Sequence, residues 1–170
     1  MEVAPVFIGF ALVLPTYRRF PLTTMLYVWL AAHAVVLMIG GKYTYAQVPL
    51  FNWLRDAFDL SRNHYDRLGH FMQGFVPALL VRELLLRTSP LRPGRWLFTI
   101  IVFCCLGFSG LYELIEWSAA ELLGQGADAF LGTQGDPWDT QKDMALALAG
   151  AVVSQWVLSR AHDRQLRDFE

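Results

Sequence analysis

Cysteine is almost missing from this chain: of 170 residues only Cys104 and Cys105 carry thiols, and they are neighbours. Adjacent cysteines rarely bridge and have no metal-ligand spacing, so a disulfide framework is excluded and the pair reads as small apolar side chains inside a helix. An excess of either charge is missing too. Fourteen Lys and Arg stand against 15 Asp and Glu for a net charge of −1. Nothing in that balance points to nucleic acid as a partner, and what matters is where the charges fall along the chain. No G-x-S-x-G, P-loop, H-E-x-x-H or C-x-x-C occurs, and GQGADAFLG is no dinucleotide loop because no strand precedes it. The first apolar segment lacks a basic start and a small-residue cleavage site, which argues against a signal peptide.

What the chain has instead is apolar length. It is 55% hydrophobic and 14% aromatic, against roughly 45–50% apolar content in an ordinary soluble domain, so residues 1–170 read as a single integral membrane domain. The expected fold class is all-α, a polytopic transmembrane helical bundle of about five spans. Val3 to Tyr17 is short, about 15 residues where roughly 20 are needed to cross; of a short span and a span whose start lies upstream, the second is favoured, which would make six. Pro21 to about Gly40 is a full apolar run whose His33 reads as an interhelical hydrogen-bonder. Gly41 to Asn63 is mixed and reads as an interfacial loop with a short amphipathic helix near Leu50 to Leu60. Asn63 would cap a third span, His64 to Leu86, in which Arg82 and Glu83 read as charges snorkelling to the interface. Trp96 to Leu123 follows, with Gly107 and Gly110 as expected close-packing points. A Gly-rich loop leads to a last span from about Asp139 to Leu158, and a charged tail, SRAHDRQLRDFE, closes the chain.

Orientation follows from arginine. Arg18 and Arg19, then Arg87, Arg92 and Arg95, then Arg160, Arg164 and Arg167 fall at alternate helix ends, all on one side if there are five spans. That side is expected to be cytoplasmic, with the C-terminus inside. The opposite loops hold Lys42, Arg55 and Arg62 balanced by Asp56 and Asp59, then Asp128 and Asp136.

Three polar stripes interrupt the apolar background. In GDPWDTQKDMALALAG the i, i+3, i+7 spacing puts Asp136, Asp139 and Asp143 on one helix face. NHYDRLGHFMQG carries Asp66, His70 and Gln73, and LYELIEWSAA carries Glu113 and Glu116. At ~1.5 Å per residue, Asp66 lies ~30 Å above Leu86, Glu113 ~26 Å above Trp96 and Asp139 ~29 Å above Leu158, so all three stripes converge at the outer interface. Tyr65, Tyr112, Trp117 and Trp138 fit an aromatic belt there.

Asp66, Glu113, Glu116, Asp136, Asp139 and Asp143 are six acids, and the nearest fixed cations in sequence are Arg67 and Lys142, with His64 and His70 as helpers. Surplus carboxylates taken from water must be protonated, solvated or neutralised by a bound cation. Oxygen ligands with imidazole suit a divalent metal, Mg²⁺, Mn²⁺, Ca²⁺, Fe or Zn²⁺, held by His70, Glu113, Glu116, Asp139 and Asp143 on facing helices. A plain ion-pair network and a proton or substrate path are the alternatives for the cluster, and a non-catalytic lipid- or cation-binding protein or carrier of the cell envelope is the alternative to an enzyme. If the cluster is an enzyme site, Asp66, His70 and Glu113 are the acid–base candidates, Arg67, Lys142 and Gln73 would contact substrate, and the partners are membrane lipids. Ser61-Arg62 ahead of His70 is faintly similar to half of the phosphate site of membrane lipid phosphatases, but the spacing and the companion Gly-Ser-His motif are absent.

GKYTYAQVPLF, RNHYDRLGHFMQGFVPALLVRE, YELIEWSAAELLG and FLGTQGDPWDTQKDMALALAG together resemble the YjdF family of bacterial inner-membrane proteins, from about Lys42 onward. More distantly, Asp66 with His70, Glu113, and Asp139 with Asp143 ahead of Gly150 are similar to the VanZ-like pattern of a D-x-x-x-H helix, a glutamate helix and a final acidic helix. Ala147 departs from it, standing where those proteins often carry a polar residue. The resemblance implies the bacterial inner membrane and an envelope or lipid setting.

Overall fold

The computed structural model describes residues 3–123 and 134–169. Among them every regular element is helical: α1 (Ala4–Thr16), α2 (Thr24–Lys42), α3 (Pro49–Ala57), α4 (Tyr65–Thr88), α5 (Arg95–Leu123) and α6 (Asp139–Leu166), with a 3-10 turn at Arg167–Phe169. Most of the expected Gly-rich loop, residues 124–133 with Asp128, lies outside the described residues.

Local chemistry sets the boundaries. Thr23 Oγ1 accepts from the Leu26 backbone N–H at 3.3 Å and starts α2. Pro49 opens α3 where its missing N–H costs nothing, and Asp59, at φ 51°, ends the turn that follows. Asn63, expected as the cap of α4, stands one residue before the N-cap position, which His64 occupies without a side-chain cap bond, and Asn63 instead ties segments together. Its Oδ1 accepts from Tyr65 N at 3.0 Å, its Nδ2 donates to Val48 O at 3.1 Å and Asn52 Oδ1 at 2.8 Å, and Gln134 bonds its backbone N–H and C=O at 3.0 and 3.1 Å. The starts of α3, α4 and the segment before α6 are thereby tied together.

α4 is the central helix, packed against α2, α5 and α6. Ala78 joins Leu97, Ile101 and Cys105 of α5 and Ala151 of α6 in one core cluster, and Met72, Phe75 and Val76 pack against Trp29 and Leu30 of α2 in another. Lipid is as apolar as these side chains, so close packing rather than the hydrophobic effect holds such helices together. The closest approach is between α4 and α6: a Cβ at Gly74 would overlap the Ala147 carbonyl, and one at Gly150 the Phe71 carbonyl. These glycines, not the expected pair on α5, let backbones touch; Gly107 has open space and Gly110 meets only the tip of Met144.

By length and composition α2, α5 and α6 are able to cross a membrane. α4, at 24 residues, spans ~36 Å but carries Asp66, Arg67, Arg82, Glu83 and Arg87, while α1, at 13 residues, is short of the hydrocarbon thickness. α1 buries only Val6 and exposes Phe7, Ile8, Phe10, Leu12 and Leu14.

Several expectations change here. α6 runs eight residues past Leu158, because His162 and Leu166, four apart, are buried on the face that continues its core stripe. Arg82 and Glu83 do not snorkel: both are buried. Glu83 accepts from Thr23 N at 3.0 Å, Thr23 Oγ1 at 2.8 Å, Arg87 at 2.8 Å and His162 Nε2 at 3.0 Å. Arg82 pairs with Asp163 at 2.6 Å and donates to His162 Nδ1 at 3.3 Å, which leaves the imidazole proton on Nε2 for Glu83. This cluster clamps the start of α2 to the ends of α4 and α6. His33 Nε2, expected to bond across helices, is buried without a hydrogen-bond partner among the described residues, because the α2–α4 contact around it is made by apolar side chains. Tyr65 is buried, its hydroxyl donating to Val36 O at 2.9 Å, while Trp117 and Trp138 stand exposed as a belt would require.

Candidate cation site

At the end of the bundle away from that clamp, the first two turns of α4, the first two of α6 and one face of α5 bring the acidic stripes together. Asp139 and Asp143 enter from α6, Asp66, Arg67 and His70 from α4, and Glu113 from α5, all buried or half-buried. The floor is the α4–α6 backbone contact at Gly74 and Ala147, one turn below His70 and Asp143.

Two arginines divide the acids. Arg67 reaches Asp143 Oδ1 at 2.6 Å, Asp139 Oδ1 at 2.5 Å and Asp136 Oδ2 at 3.1 Å. Arg62 donates to the same Asp139 oxygen and lies 3.5 Å from Asp66 Oδ2. Arg62 is the residue that sequence reading misplaced: set in a loop and balanced against Asp56 and Asp59, it is 6% exposed and belongs to the cluster, while Asp56 pairs with Arg55 at 2.8 Å. The signal available was its i, i+4 spacing to Asp66. Lys142 is more exposed and lies 2.6 Å from Asp136, whose carboxyl it holds below its ordinary value of 3.8. His64 supplies no extra cation. Burial, then the charges of Arg62 and Arg67, hold its imidazole below the usual 6.5.

The other half of the site, around His70, draws on Asp66 Oδ1 and Asp143 Oδ2, the oxygens not turned to Arg62 and Arg67. His70 Nδ1 meets Gln73 Oε1 at 2.9 Å, so with a carbonyl oxygen as its partner Nδ1 carries the proton and Gln73 orients the ring. His70 Nε2 then faces Asp66 Oδ1 at 3.5 Å and Asp143 Oδ2 at 3.8 Å. Two ligand atoms each ~2.1 Å from one ion stand at most ~4.2 Å apart, so these separations fit a shared cation. The three donor atoms all lie within 4.8 Å of one another. Glu113 closes the group from α5: it is 9% exposed, its Oε1 is buried without a hydrogen-bond partner, and that oxygen lies 3.7 Å from His70 Nδ1. Glu116 is half-buried, within electrostatic reach of Glu113 and His70, and forms no hydrogen bond or ion pair among the described residues.

Of the residues singled out from the sequence, His70, Gln73 and Glu113 meet no arginine, while Asp66 and Asp143 each turn one oxygen to an arginine and the other toward His70. Asp139 is held by the two arginines through Oδ1, and Lys142 stays at the rim. A depression lined by Gly135, Asp136, Pro137, Asp139 and Thr140 opens beside the first turn of α6.

The family model for "Predicted membrane protein (DUF2238)" matches residues 1–164. Among curated proteins, "Inner membrane protein YjdF" of Escherichia coli (strain K12) is 55% identical over 170 residues, covering 99% of this chain and 81% of that protein. No solved structure matches.

Proposed function

The chain belongs to this family of predicted membrane proteins, and with that as premise we propose that the Asp66, His70 and Asp143 group, with Glu113, holds a divalent cation used in chemistry on a phosphate-bearing lipid or lipid-linked headgroup. What carries the reading is the geometry around His70: Nδ1 lies 2.9 Å from Gln73 Oε1 and Nε2 faces Asp66 Oδ1 and Asp143 Oδ2, so in the neutral ring with its proton on Nδ1 the Nε2 lone pair points at two carboxylates. Without a cation three acceptors would face one another, which is costly in a buried setting. Six carboxylates against Arg62, Arg67 and Lys142 leave charge for the ion to neutralise.

A cation held by these residues would supply Lewis acidity toward a phosphoryl oxygen or a water, and Glu113, whose Oε1 accepts no hydrogen bond among the described residues, would take the proton. Contact with phosphate falls to the cation rather than to Arg67 or Lys142, whose donors already serve aspartates. The sealed α4–α6 contact beneath the group supports one-sided access, which favours an enzyme over a carrier. The likeness of Asp66-x-x-x-His70 and the final acidic helix to VanZ-like proteins points to the same envelope setting.

The reading also includes the topology: five spans, α1 and α4 among them, with the arginine-rich end and the C-terminus cytoplasmic and the acidic site at the outer leaflet. A reporter fused after Glu170 should then read inside, and a reporter placed between Gly135 and Trp138 should read outside. Swapped signals would place the site on the inner leaflet.

The rival is an imidazolium at His70 paired with the same acids, a purely structural network. Metal analysis of detergent-purified protein, wild type beside His70→Ala, separates the two. About one equivalent of a divalent metal, lost in the variant, supports the site. No metal in the wild type and no stabilisation by Mg²⁺, Mn²⁺, Ca²⁺, Fe²⁺ or Zn²⁺ would sink it. For the chemistry, envelope lipids incubated with wild type should show a converted species by mass spectrometry, reduced ~10²–10⁴-fold by Glu113→Gln.

A further inference from the structure

At the end of the bundle opposite the acidic site, α5 begins and α6 finishes side by side. Gln155 Nε2 on α6 donates to Phe98 O on α5 at 3.4 Å, which fixes their relative height. Around that level the surface is basic. Arg92 precedes α5 and Arg95 is its first residue, while Trp156, Arg160 and Arg164 recur at i, i+4 and i+8 and share one stripe of α6. All four guanidinium groups are exposed, and none makes a hydrogen bond or ion pair among the described residues. The acids of α6 and the turn after it do not neutralise them: Asp163 is taken by Arg82 at 2.6 Å, and Asp168 forms no ion pair among the described residues.

Arg18, Arg19 and Arg167 likewise form no ion pair among the described residues, whereas the arginines elsewhere in the molecule are paired. Arg55, Arg62, Arg67, Arg82 and Arg87 each hold a carboxylate. Just inside this basic level, Trp96 and Trp156 are each 78% exposed, the placement of indoles at the headgroup boundary of a bilayer. The apolar stretches of α5 and α6 continue directly from them. Four forked donors set above two interfacial indoles match a phosphodiester with acyl chains below it, and with Asp163 held by Arg82 the guanidinium groups outnumber the carboxylates described beside them, which disfavours a headgroup that carries its own ammonium.

We propose that the α5–α6 seam, through Arg92, Arg95, Arg160 and Arg164 with Trp96 and Trp156, is a docking surface for anionic phospholipid. It is independent of the cation site, since the two lie at opposite ends of the bundle. The test is native mass spectrometry of the detergent-purified full chain titrated with dioleoyl phosphatidylglycerol, with dioleoyl phosphatidylcholine, and with inorganic phosphate. Phosphatidylglycerol should be retained over phosphatidylcholine. Near-surface arginine contributes about fivefold each, so R160Q/R164Q should weaken phosphatidylglycerol retention roughly 25-fold. R55Q, at the far end, should leave retention unchanged. If R160Q/R164Q does not fold, R92Q/R95Q carries the same expectation from the loop and first residue of α5. Equal retention of the two lipids, unchanged retention in both double variants, or full displacement by phosphate at equal concentration would overturn the proposal.

Discussion

The two ends of α4 each carry a buried ionic cluster built from the same kinds of residue, yet one is complete and the other is not. At the Glu83 end, two carboxylates, Glu83 and Asp163, meet two arginines, Arg82 and Arg87, and His162 uses both nitrogens. At the Asp66 end the acids outnumber the fixed cations and Glu113 Oε1 accepts no hydrogen bond among the described residues. A buried charged network in which every member is satisfied stabilises one arrangement, whereas a partly satisfied one costs free energy unless something else completes it. The completed end serves structure, and the proposed binding falls at the end whose acids are in excess.

The largest test of that contrast is Glu83→Ala. It leaves His162, Arg87 and the Thr23 amide without their shared acceptor, and removing one partner of such a network should cost about 3–5 kcal/mol. Denaturant unfolding in mixed micelles would read this, alongside a fall in folded yield. If Asp143→Asn costs as much, the two ends do not differ and the acidic cluster is helix glue.

Next in size is the seam between the clusters. Gly150→Leu forces a side chain against the Phe71 carbonyl and should cost about 1–3 kcal/mol or more by overpacking. The matching Gly107→Leu on α5, where space is open, should cost far less under the same unfolding assay. Similar losses at both positions would show that α4 and α6 do not touch as described.

Cation linkage comes third. A divalent ion at 100 times its dissociation constant should raise wild-type stability by about 2.7 kcal/mol, and Asp143→Asn should abolish the increment while costing the metal-free protein less than Glu83→Ala does, because Arg67 keeps Asp136 and Asp139. An increment surviving in Asp143→Asn would move the ion elsewhere.

Smallest is the rim. The Lys142 ammonium lowers the Asp136 carboxyl, so the pair's contribution is present above the ordinary value of 3.8 and is lost as pH falls through the lower folded value. Lys142→Gln should therefore lower stability slightly at neutral pH and converge with wild type in acid. A difference that grows below pH 3.8 would contradict the pairing.

The sequence by itself determined the all-helical membrane class, the approximate extents of α1 to α5 and the start of α6, and the gathering of Asp66, His70, Glu113, Asp139 and Asp143 at one depth. Hydropathy length and helical periodicity are local properties, and a helix's fixed rise converts position along the chain into depth. Which charges pair was decided only by tertiary structure, because pairing depends on how helices are rotated and how closely they approach. Arg62 and Asp139 are 77 residues apart, and Glu83 and His162 79 apart, so no local pattern links them. The same holds for Gly74 and Gly150, whose role depends on the backbone facing them. A charged residue near a helix end reads the same whether it snorkels or is clamped. Only the neighbouring helices distinguish the two, by removing water from Glu83 while supplying four hydrogen bonds in its place.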